Sequence, residues 1–214
     1  MIINKSIQLL PDSAVLIESG LRFLIAADLH LGKSAVFRAN GLPVPEGDTR
    51  KDLERLTQLI LEYQPDHLVI AGDLFHANSG FEEEVIDVFE DFLRQIRIPF
   101  TLVKGNHDDK IASLPESFDM CSHREIGDIR IVHKPQDASP ELFNICGHIH
   151  PVVRIADGKN TVLRPACFHL RDNVLTLPSF GSFTGGQIVK PQPEDRFFVS
   201  HLGKVIEIPG KLIK

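Results

Sequence analysis

Several residue types that define protein classes are scarce in this chain of 214 residues. It has three cysteines, one tyrosine and no tryptophan. Cys121, Cys146 and Cys167 form no CxxC pair, which argues against a disulfide framework or a zinc site built from thiolates. No apolar run approaches the roughly 20 residues that cross a bilayer, and the N-terminus lacks the features of a signal peptide. We therefore expect a cytoplasmic protein with no membrane partner.

An excess of positive charge is also missing. The chain has 23 Lys and Arg against 29 Asp and Glu, a formal net charge of -6. Bulk electrostatics therefore cannot attract nucleic acid, and any affinity for phosphate must be local. Histidine, by contrast, is abundant, with ten residues. The apolar (43%) and charged (24%) fractions are ordinary and predict a single domain over residues 1–214.

The first half of the chain alternates predicted strands and helices. Short apolar runs predict strands at 21–27, 67–71 and 100–103. Apolar residues at helical spacing predict helices at 49–63 and 82–97. This order is typical of a parallel α/β sheet.

The second half is richer in predicted strands. They lie at 129–133, 142–146, 152–156, 161–168, 174–177, 197–202 and 205–208. Asp157-Gly158 and Leu202-Gly203-Lys204 are predicted turns, and residues 178–193 are either an ordinary loop or an ordered loop beside a site. The two halves together predict an α/β fold of two packed mixed sheets with helices outside them.

Polar side chains that can bind metals follow these predicted strands. They are Asp28-Leu29-His30, Gly72-Asp73, Gly105-Asn106-His107-Asp108, His133 and Gly147-His148-Ile149-His150. Because strands of open α/β sheets carry ligands at their carboxyl ends, the motifs are expected to converge on one cleft. Oxygen ligands with neutral imidazole suit Mn²⁺, Fe²⁺ or Zn²⁺, and a bridging carboxylate allows two ions about 3.5 to 4 Å apart. Phosphate-ester hydrolysis is the reaction that such a pair favours.

This set of motifs resembles the calcineurin-like metallophosphoesterase superfamily, and the resemblance spans most of the chain. It implies a four-layer αββα sandwich with a dinuclear metal centre. One ion would be bound by Asp28, His30, Asp73 and His150, and the other by Asp73, Asn106, His133 and His148. The resemblance also implies that His107, oriented by Asp108, donates a proton to the leaving group or stabilises the transition state. His76 would lie near the scissile phosphate.

A narrower resemblance lies outside the metal motifs. The segments LHLGK (29–33), GLPVPEG (41–47), PACF (165–168) and LPSFGSFTGG (177–186) are similar to the bacterial ligase-associated DNA-damage-response phosphoesterase or endonuclease family. This family implies a phosphodiesterase supported by Mn²⁺ that acts in DNA repair, with an ATP-dependent DNA ligase and a helicase as partners. Lys33 and Arg38 either line a path for phosphate or are solvated.

Alternative functions stay open at this point. A small-nucleotide phosphodiesterase or phosphomonoesterase would use the same ligands. A non-catalytic scaffold is disfavoured, because the chain keeps His107 and every ligand. His67, His123, His169 and His201 are predicted to be structural or exposed, and the three cysteines inert.

Overall fold

The structure is a computed structural model that describes residues 1–4, 6–44, 47–76, 82–111, 114–116, 118–156 and 162–214. Within them lie three α-helices, α1 (Lys33–Ala39), α2 (Asp48–Tyr63) and α3 (Glu82–Ile96). Single turns of 3-10 helix occur at Asp108–Lys110, Pro135–Asp137 and Gly210–Leu212. No helix in this described part has the length and apolar character required to cross a membrane.

The first sheet contains seven strands in the order in which they occur in the chain. They are β1 (Ile2–Asn4), β2 (Ile7–Leu10), β3 (Ala14–Ser19), β4 (Leu21–Ala26), β5 (His67–Ala71), β6 (Phe100–Val103) and β7 (Asp119–Cys121). Strands β1 to β4 pair antiparallel, and β4 to β7 pair parallel. The sheet is therefore mixed, and its parallel half carries the two long helices.

Helices α2 and α3 cover one face of this first sheet. They connect β4 to β5 and β5 to β6, and right-handed connections between neighbouring parallel strands place both helices on the same side. Leu56 of α2 and Phe89 of α3 are fully buried in one cluster with Leu24 and Ile70 of the sheet. The apolar stripe that predicts these helices is thus the side that packs on the sheet.

A second seven-stranded sheet forms from the other half of the chain. Its strands are β8 (Arg124–Ile126), β9 (Ile129–Ile131), β10 (Phe143–Cys146), β14 (Phe168–Arg171), β15 (Val174–Thr176), β17 (Arg196–His201) and β18 (Lys204–Glu207). Their order is β18-β17-β14-β15-β10-β9-β8, with β10 parallel to both neighbours. Two-residue strands form small pairs, namely β11 (Pro151–Val152) with β16 (Gln187–Ile188) and β12 (Ile155–Ala156) with β13 (Val162–Leu163).

The two large sheets pack face to face. Ile25 of β4 and Val69 of β5 are buried against Ile145 and Phe168 of the second sheet. Neighbouring residues such as Leu24 point instead to the helix side, as the two-residue period of a strand requires. Burial on both faces explains why these strands are continuous apolar runs in the sequence. The prediction of two packed mixed sheets with helices is confirmed.

Most predicted elements of the first half are confirmed within two residues, whereas the second half contains errors. The prediction of a single strand at 161–168 is wrong. The structure has the short strand β13 (Val162–Leu163) and then β14, which begins at Phe168. Pro165 lies between them and has no N–H to donate to a neighbouring strand. Residues 152–156 are divided between β11 and β12, and β1, β2 and β3 were not predicted. The predicted Asp157-Gly158 turn lies outside the described residues.

Candidate metal centre

Predicted ligands follow the carboxyl ends of strands in both sheets. Asp28 and His30 come after β4, Asp73 after β5, and His148 after β10. Backbone hydrogen bonds connect the first two motifs, from the N–H of Asp28 to the carbonyl of Gly72 (3.0 Å) and from that of His30 to the carbonyl of Asp73 (3.0 Å). The parallel pairing of β4 and β5 thus continues into their loops and fixes the two motifs side by side.

The predicted ligands lie in two groups. In the first, Oδ1 of Asp28 lies 3.3 Å from Nε2 of His150, which is 3.4 Å from Nε2 of His30. In each group, one potential ligand atom per residue lies within 4.8 Å of the others. The first group therefore brings together residues 120 positions apart in the chain.

The second group consists of Asp73, His133 and His148. Nε2 of His133 lies 3.4 Å from Oδ2 of Asp73 and 3.2 Å from Nδ1 of His148. The side-chain oxygen of Asn106 is 3.2 Å from the same His133 nitrogen. All seven predicted ligands thus come together in the structure.

Asp73, a member of the second group, also faces the first group. Its Oδ2 atom is 3.9 Å from Nε2 of His30 and 3.4 Å from Nε2 of His133. Its Oδ1 atom accepts a hydrogen bond from the backbone N–H of His107 at 2.9 Å, which orients the carboxylate. A single carboxylate oxygen therefore faces imidazoles of both groups.

The residues present fit divalent metal ions. Oδ1 of Asp28 is buried without a hydrogen-bond partner among the described residues. Leaving a buried carboxylate oxygen unpaired is costly unless a cation or donor compensates it. Carboxylate oxygens and imidazole nitrogens are ligands suited to first-row divalent metals.

Backbone carbonyl groups orient two of the histidines. Nδ1 of His133 lies 3.0 Å from the carbonyl oxygen of Ala71, and Nδ1 of His150 lies 3.1 Å from that of Gly185. When Nδ1 donates its proton to a carbonyl, Nε2 keeps the lone pair that binds a metal. The segment 178–193, for which sequence reasoning left a site role open, is thus an ordered loop whose Gly185 contacts a predicted ligand. The motif LPSFGSFTGG was the signal for it.

Five of the seven predicted ligands have left-handed backbone conformations. The φ angles are 56° at Asp28, 48° at His30, 51° at Asp73, 71° at His148 and 48° at His150. This conformation is uncommon for residues with a side chain, and strain of this kind is concentrated at functional sites.

Glycines next to the predicted ligands allow close packing. A Cβ atom at Gly72 would overlap the His133 ring, one at Gly105 the Asp73 carboxylate, and one at Gly147 the Asp28 carboxylate. Each of these three positions therefore requires glycine, because any larger residue would overlap the side chain that packs against it.

Burial and charge set the protonation of the centre. Burial lowers the pKa of His30 to about 2, so its imidazole is neutral and available as a ligand. Burial opposes ionisation of Asp73, but the hydrogen bond and charge of His133, with His107 and His30, hold the pKa of Asp73 well below its ordinary value. Burial likewise acts to lower the pKa of His133, yet Asp73 and Asp28 raise it.

His76 and His107 lie beside the two ligand groups. Their rings stack with centroids 4.9 Å apart, and the His30 ring is 5.0 Å from that of His107. The Nδ1 atoms of both rings are buried without a hydrogen-bond partner in the described structure. Burial lowers the pKa of both residues, to about 4 for His76. Both side chains thus face the centre.

The structure gives Asp108 partners different from the predicted one. Its Oδ1 accepts hydrogen bonds from the N–H groups of Leu74 (3.0 Å) and Phe75 (3.3 Å), and its Oδ2 from that of Gly105 (2.9 Å). The predicted contact in which Asp108 orients His107 is therefore corrected, because both carboxylate oxygens are occupied by backbone donors. Burial raises the pKa of Asp108 to about 6.

Lys33 and Arg38 have different positions relative to the centre. Lys33 is half-buried, and burial lowers its pKa while the charges of Asp28 and Asp73 oppose that shift. Arg38 donates a hydrogen bond to the Ser34 hydroxyl at 3.2 Å and lines a separate cavity with Asp48. Lys33 therefore lies within the electrostatic reach of the predicted ligands Asp28 and Asp73.

The remaining histidines occupy hydrogen-bonded, stacked or exposed positions, and two of the cysteines are buried. His67 is hydrogen-bonded to Thr101 (2.8 Å), His169 stacks on Phe197, and His123 and His201 are exposed. Burial raises the pKa of Cys146 and of Cys167 to about 12, which keeps both as thiols.

Comparisons with known proteins give the family and the fold of the chain. The calcineurin-like phosphoesterase family matches residues 21–145. The solved structure of Pseudomonas putida nuclease MPE is similar over 94% of both chains, with 29% sequence identity and a TM-score of 0.78. This likeness extends through the second sheet, beyond the end of the family match.

Two curated relatives match a shorter segment. DNA double-strand break repair protein Mre11 of Nanoarchaeum equitans is 38% identical over 96 residues, which is 44% of this chain and 25% of that protein. A protein of the same name from Methanosarcina acetivorans is 33% identical over 92 residues, which is 42% of this chain and 14% of that protein. The chain therefore spans a quarter or less of the length of these two relatives.

The chain belongs to the calcineurin-like phosphoesterase family. Its members use divalent metals to hydrolyse phosphate esters, so the enzyme class predicted from the motifs is confirmed.

Proposed function

We propose that this protein is a dinuclear metal-dependent phosphodiesterase that cleaves DNA. The observation that carries the proposal is the position of Asp73, whose Oδ2 faces one histidine of each ligand group at 3.9 and 3.4 Å. Asp28, His30 and His150 with Asp73 would hold one ion. Asn106, His133 and His148 with Asp73 would hold the other.

Divalent ions bound there would polarise a phosphoryl oxygen and supply a water nucleophile active near neutral pH. Mn²⁺ is the proposed ion, with Fe²⁺ or Zn²⁺ as alternatives of the same ligand preference. Two divalent ions would also bring about four positive charges into one cleft of a chain with a net charge of -6. Attraction for phosphate would then be local to the site.

His107 is proposed as the catalytic residue that interacts with the leaving group. Its ring lies 5.0 Å from that of His30, and its position is fixed by the hydrogen bond from its own N–H to Asp73. From there the imidazole would donate a hydrogen bond or a proton to the departing oxygen. His76 stacks on the His107 ring and would limit its rotation near the scissile phosphate.

DNA as the substrate is supported by the relatives named for DNA double-strand break repair and by the likeness to nuclease MPE over nearly the whole chain. We extend the proposal to a cytoplasmic role in DNA repair, with an ATP-dependent DNA ligase and a helicase as partners. Co-elution of the three proteins from the native source tests this association. Elution of the phosphodiesterase alone, with active ligase and helicase elsewhere, would argue against it.

The reaction is tested by hydrolysis of bis-p-nitrophenyl phosphate and p-nitrophenyl phosphate after reconstitution with Mn²⁺, Zn²⁺ or Mg²⁺. We expect cleavage of the diester with Mn²⁺, and a loss of about 10²- to 10⁴-fold in kcat for His107→Ala at unchanged metal content. His201→Ala, which removes an exposed histidine outside the centre, is the control.

The other outcomes discriminate between the alternatives. Preference for the monoester would indicate a phosphomonoesterase. Cleavage of small nucleotide diesters but not of DNA would indicate a small-nucleotide phosphodiesterase. Absence of hydrolysis of both substrates with two ions bound would indicate a non-catalytic scaffold protein.

A further inference from the structure

A groove of about 560 Å³ is lined in part by residues close in sequence to predicted metal ligands. Its walls are continuations of three segments that also contribute to the centre. Ile149 lies between the predicted ligands His148 and His150, and Pro135 and Gln136 follow shortly after His133. The groove is therefore formed by the same loops that position the ligands.

The third wall is the segment 187–192, which is attached to His150 by the backbone. The N–H of Gln187 donates to the carbonyl of His150 at 3.0 Å, as β16 pairs with β11. The floor comes from the second sheet, where Thr176 pairs in register with Cys146, the residue before Gly147 of the ligand motif. The groove and the centre are thus joined through the backbone on several sides.

The chemistry of the lining combines apolar walls with a polar floor. Ile149, Val174 and Ile188 supply apolar surface. The floor carries Thr176, which is 4% exposed, and His169, which is 7% exposed. Nε2 of His169 faces Oδ2 of Asp195 at 3.2 Å, and the hydroxyl of Thr176 lies 3.4 Å from Sγ of Cys146.

The charges of the groove nearly cancel, so they select neither an anion nor a cation. The guanidinium group of Arg171 is bound to both oxygens of Asp195, at 2.7 and 2.6 Å. Asp172 and Lys190, which are both exposed and carry opposite charges, also lie in the lining. A ligand with flat apolar faces and an edge of neutral donors and acceptors matches this surface better than an anion does.

We propose that this groove is a nucleobase-binding subsite, in which a base next to the scissile phosphate lies between Ile149 and Ile188 with its edge toward Thr176 and His169. The inference rests on the proposed function, since it places part of a nucleic acid beside the phosphodiester at the metal centre. Its size falls in the range of small-molecule sites. Bases in such sites are bound by contact with their faces and by hydrogen bonds to their edges.

The first test compares Ile188→Ala with Ile206→Ala. The two isoleucines are matched, because they are 45% and 42% exposed and both lie on strands, but of the two only Ile188 lines the groove. For Ile188→Ala we expect kcat/KM on a single-stranded oligothymidylate to fall about five- to tenfold more than on bis-p-nitrophenyl phosphate, chiefly through KM. Ile206→Ala should change the ratio of the two rates by less than about twofold.

A second substrate separates the base from the backbone. An oligonucleotide in which every sugar is abasic has no base to place in the groove. Wild type and Ile188→Ala should therefore cleave it with the same kcat/KM. Equal losses for the variant on intact and abasic strands, or no loss on either, would overturn the subsite.

The floor is tested by Thr176→Val with Thr176→Ser as the conservative variant. Removing the hydroxyl should change the ratio of kcat/KM between oligothymidylate and oligoadenylate by about threefold or more, and serine should restore it. A purely structural role would lower both rates together, and an unchanged ratio in Thr176→Val would contradict the proposed contact.

A direct binding measurement tests the subsite independently of the proposed nuclease activity. Thymidine, with deoxyribose as the control, is titrated into the full chain while saturation-transfer NMR is recorded. Binding of thymidine that is weakened in Ile188→Ala supports the subsite. If the metal-loaded protein cleaves no oligonucleotide, the proposed nuclease function fails and the thymidine titration alone decides the subsite, which absence of binding would overturn.

Discussion

The carboxylate of Asp28 accepts a hydrogen bond from the backbone N–H of His148 at 2.8 Å, across 120 positions of the chain. Asp28 follows a strand of the first sheet and His148 a strand of the second. The bond uses Oδ2 and leaves Oδ1 directed at His150. The two sheets therefore align their predicted ligands through a contact that involves the ligands themselves.

Gly72→Ala should disrupt the centre through the His133 ring. The new methyl group would overlap that ring, and alanine would also be placed at a φ of 85°. We expect lower stability, by about 2–4 kcal/mol, together with reduced metal content. The measurements are urea denaturation and elemental analysis after reconstitution with Mn²⁺.

Gly20→Ala is the matched control for that variant. Gly20 has a φ of 74°, but a Cβ atom there would meet nothing within 4 Å. It should therefore cost about 1 kcal/mol in backbone strain and leave metal content unchanged. Equal behaviour of the two variants would show that the overlap with His133 is unimportant.

Asp108→Asn should lower the folding stability of the protein, and its kcat should fall less than that of His107→Ala. An asparagine side chain has one acceptor oxygen, whereas the two oxygens of Asp108 accept from Leu74, Phe75 and Gly105. An amide N–H₂ group would then face a backbone donor, at a cost of about 1–3 kcal/mol. Urea denaturation of this variant and of Asp109→Asn, an exposed neighbour, measures the effect. Full stability with kcat reduced as far as in His107→Ala would restore the catalytic role predicted for Asp108.

Asp195 should stabilise the protein in a defined range of pH. Burial opposes its ionisation, but the hydrogen bonds from Arg171 and Gln192, together with His169, lower the pKa of Asp195 to about 2. Because this pKa is below the value near 3.9 of an unfolded chain, the stabilisation is complete above about pH 4 and is lost as the pH falls toward 2. Asp195→Asn should therefore be less stable than wild type at pH 7 by about 1–2 kcal/mol, and this difference should shrink between pH 4 and pH 2.

Chemical denaturation at pH 7, 4 and 2.5 checks this pH dependence. Asp172→Asn removes an exposed carboxylate on the same hairpin as Arg171 and is the control. A difference between Asp195→Asn and wild type that is constant over this range would refute the ionic contribution.

The thiols should differ in reactivity toward Ellman's reagent at pH 8. Burial raises the pKa of Cys146 and Cys167 to about 12, so the reactive thiolate is almost absent at these positions. Burial raises the pKa of Cys121 as well, but this thiol is only partly buried and should react first in the native protein, in contrast to the inert behaviour predicted from the sequence. All three should react in urea. Cys121→Ala should abolish labelling of the native protein, and persistent labelling of that variant would show that a buried cysteine is accessible.

The sequence predicted the side-chain chemistry of the centre better than its backbone contacts. Asp28, Asp73 and His148 follow apolar strands, and parallel pairing brings the ends of such strands to one edge. The contact between Gly185 and His150 could not be predicted in this way, because a carbonyl group exists at every position and only the three-dimensional path of the loop selects one.

Two predictions from the sequence were wrong, one of a side-chain contact and one of a strand, and each error has a specific cause. Asp108 was expected to bond with its neighbour His107, whereas its buried carboxylate satisfies backbone donors that include two from the loop after β5. The strand 161–168 was misplaced because apolar residues on both sides of Pro165 form one pattern in the sequence, although proline interrupts the ladder. Local patterns of this kind do not determine which partner a segment finds.

The left-handed conformations of the predicted ligands mean that folding stability and metal binding favour different residues at these positions. Each such residue carries a strain of about 1–2 kcal/mol that glycine would not carry. Evolution toward stability alone would therefore replace His30 or His150 by glycine and lose an imidazole with each step. The residues that make the site useful are thus among those that keep the fold from its most stable sequence.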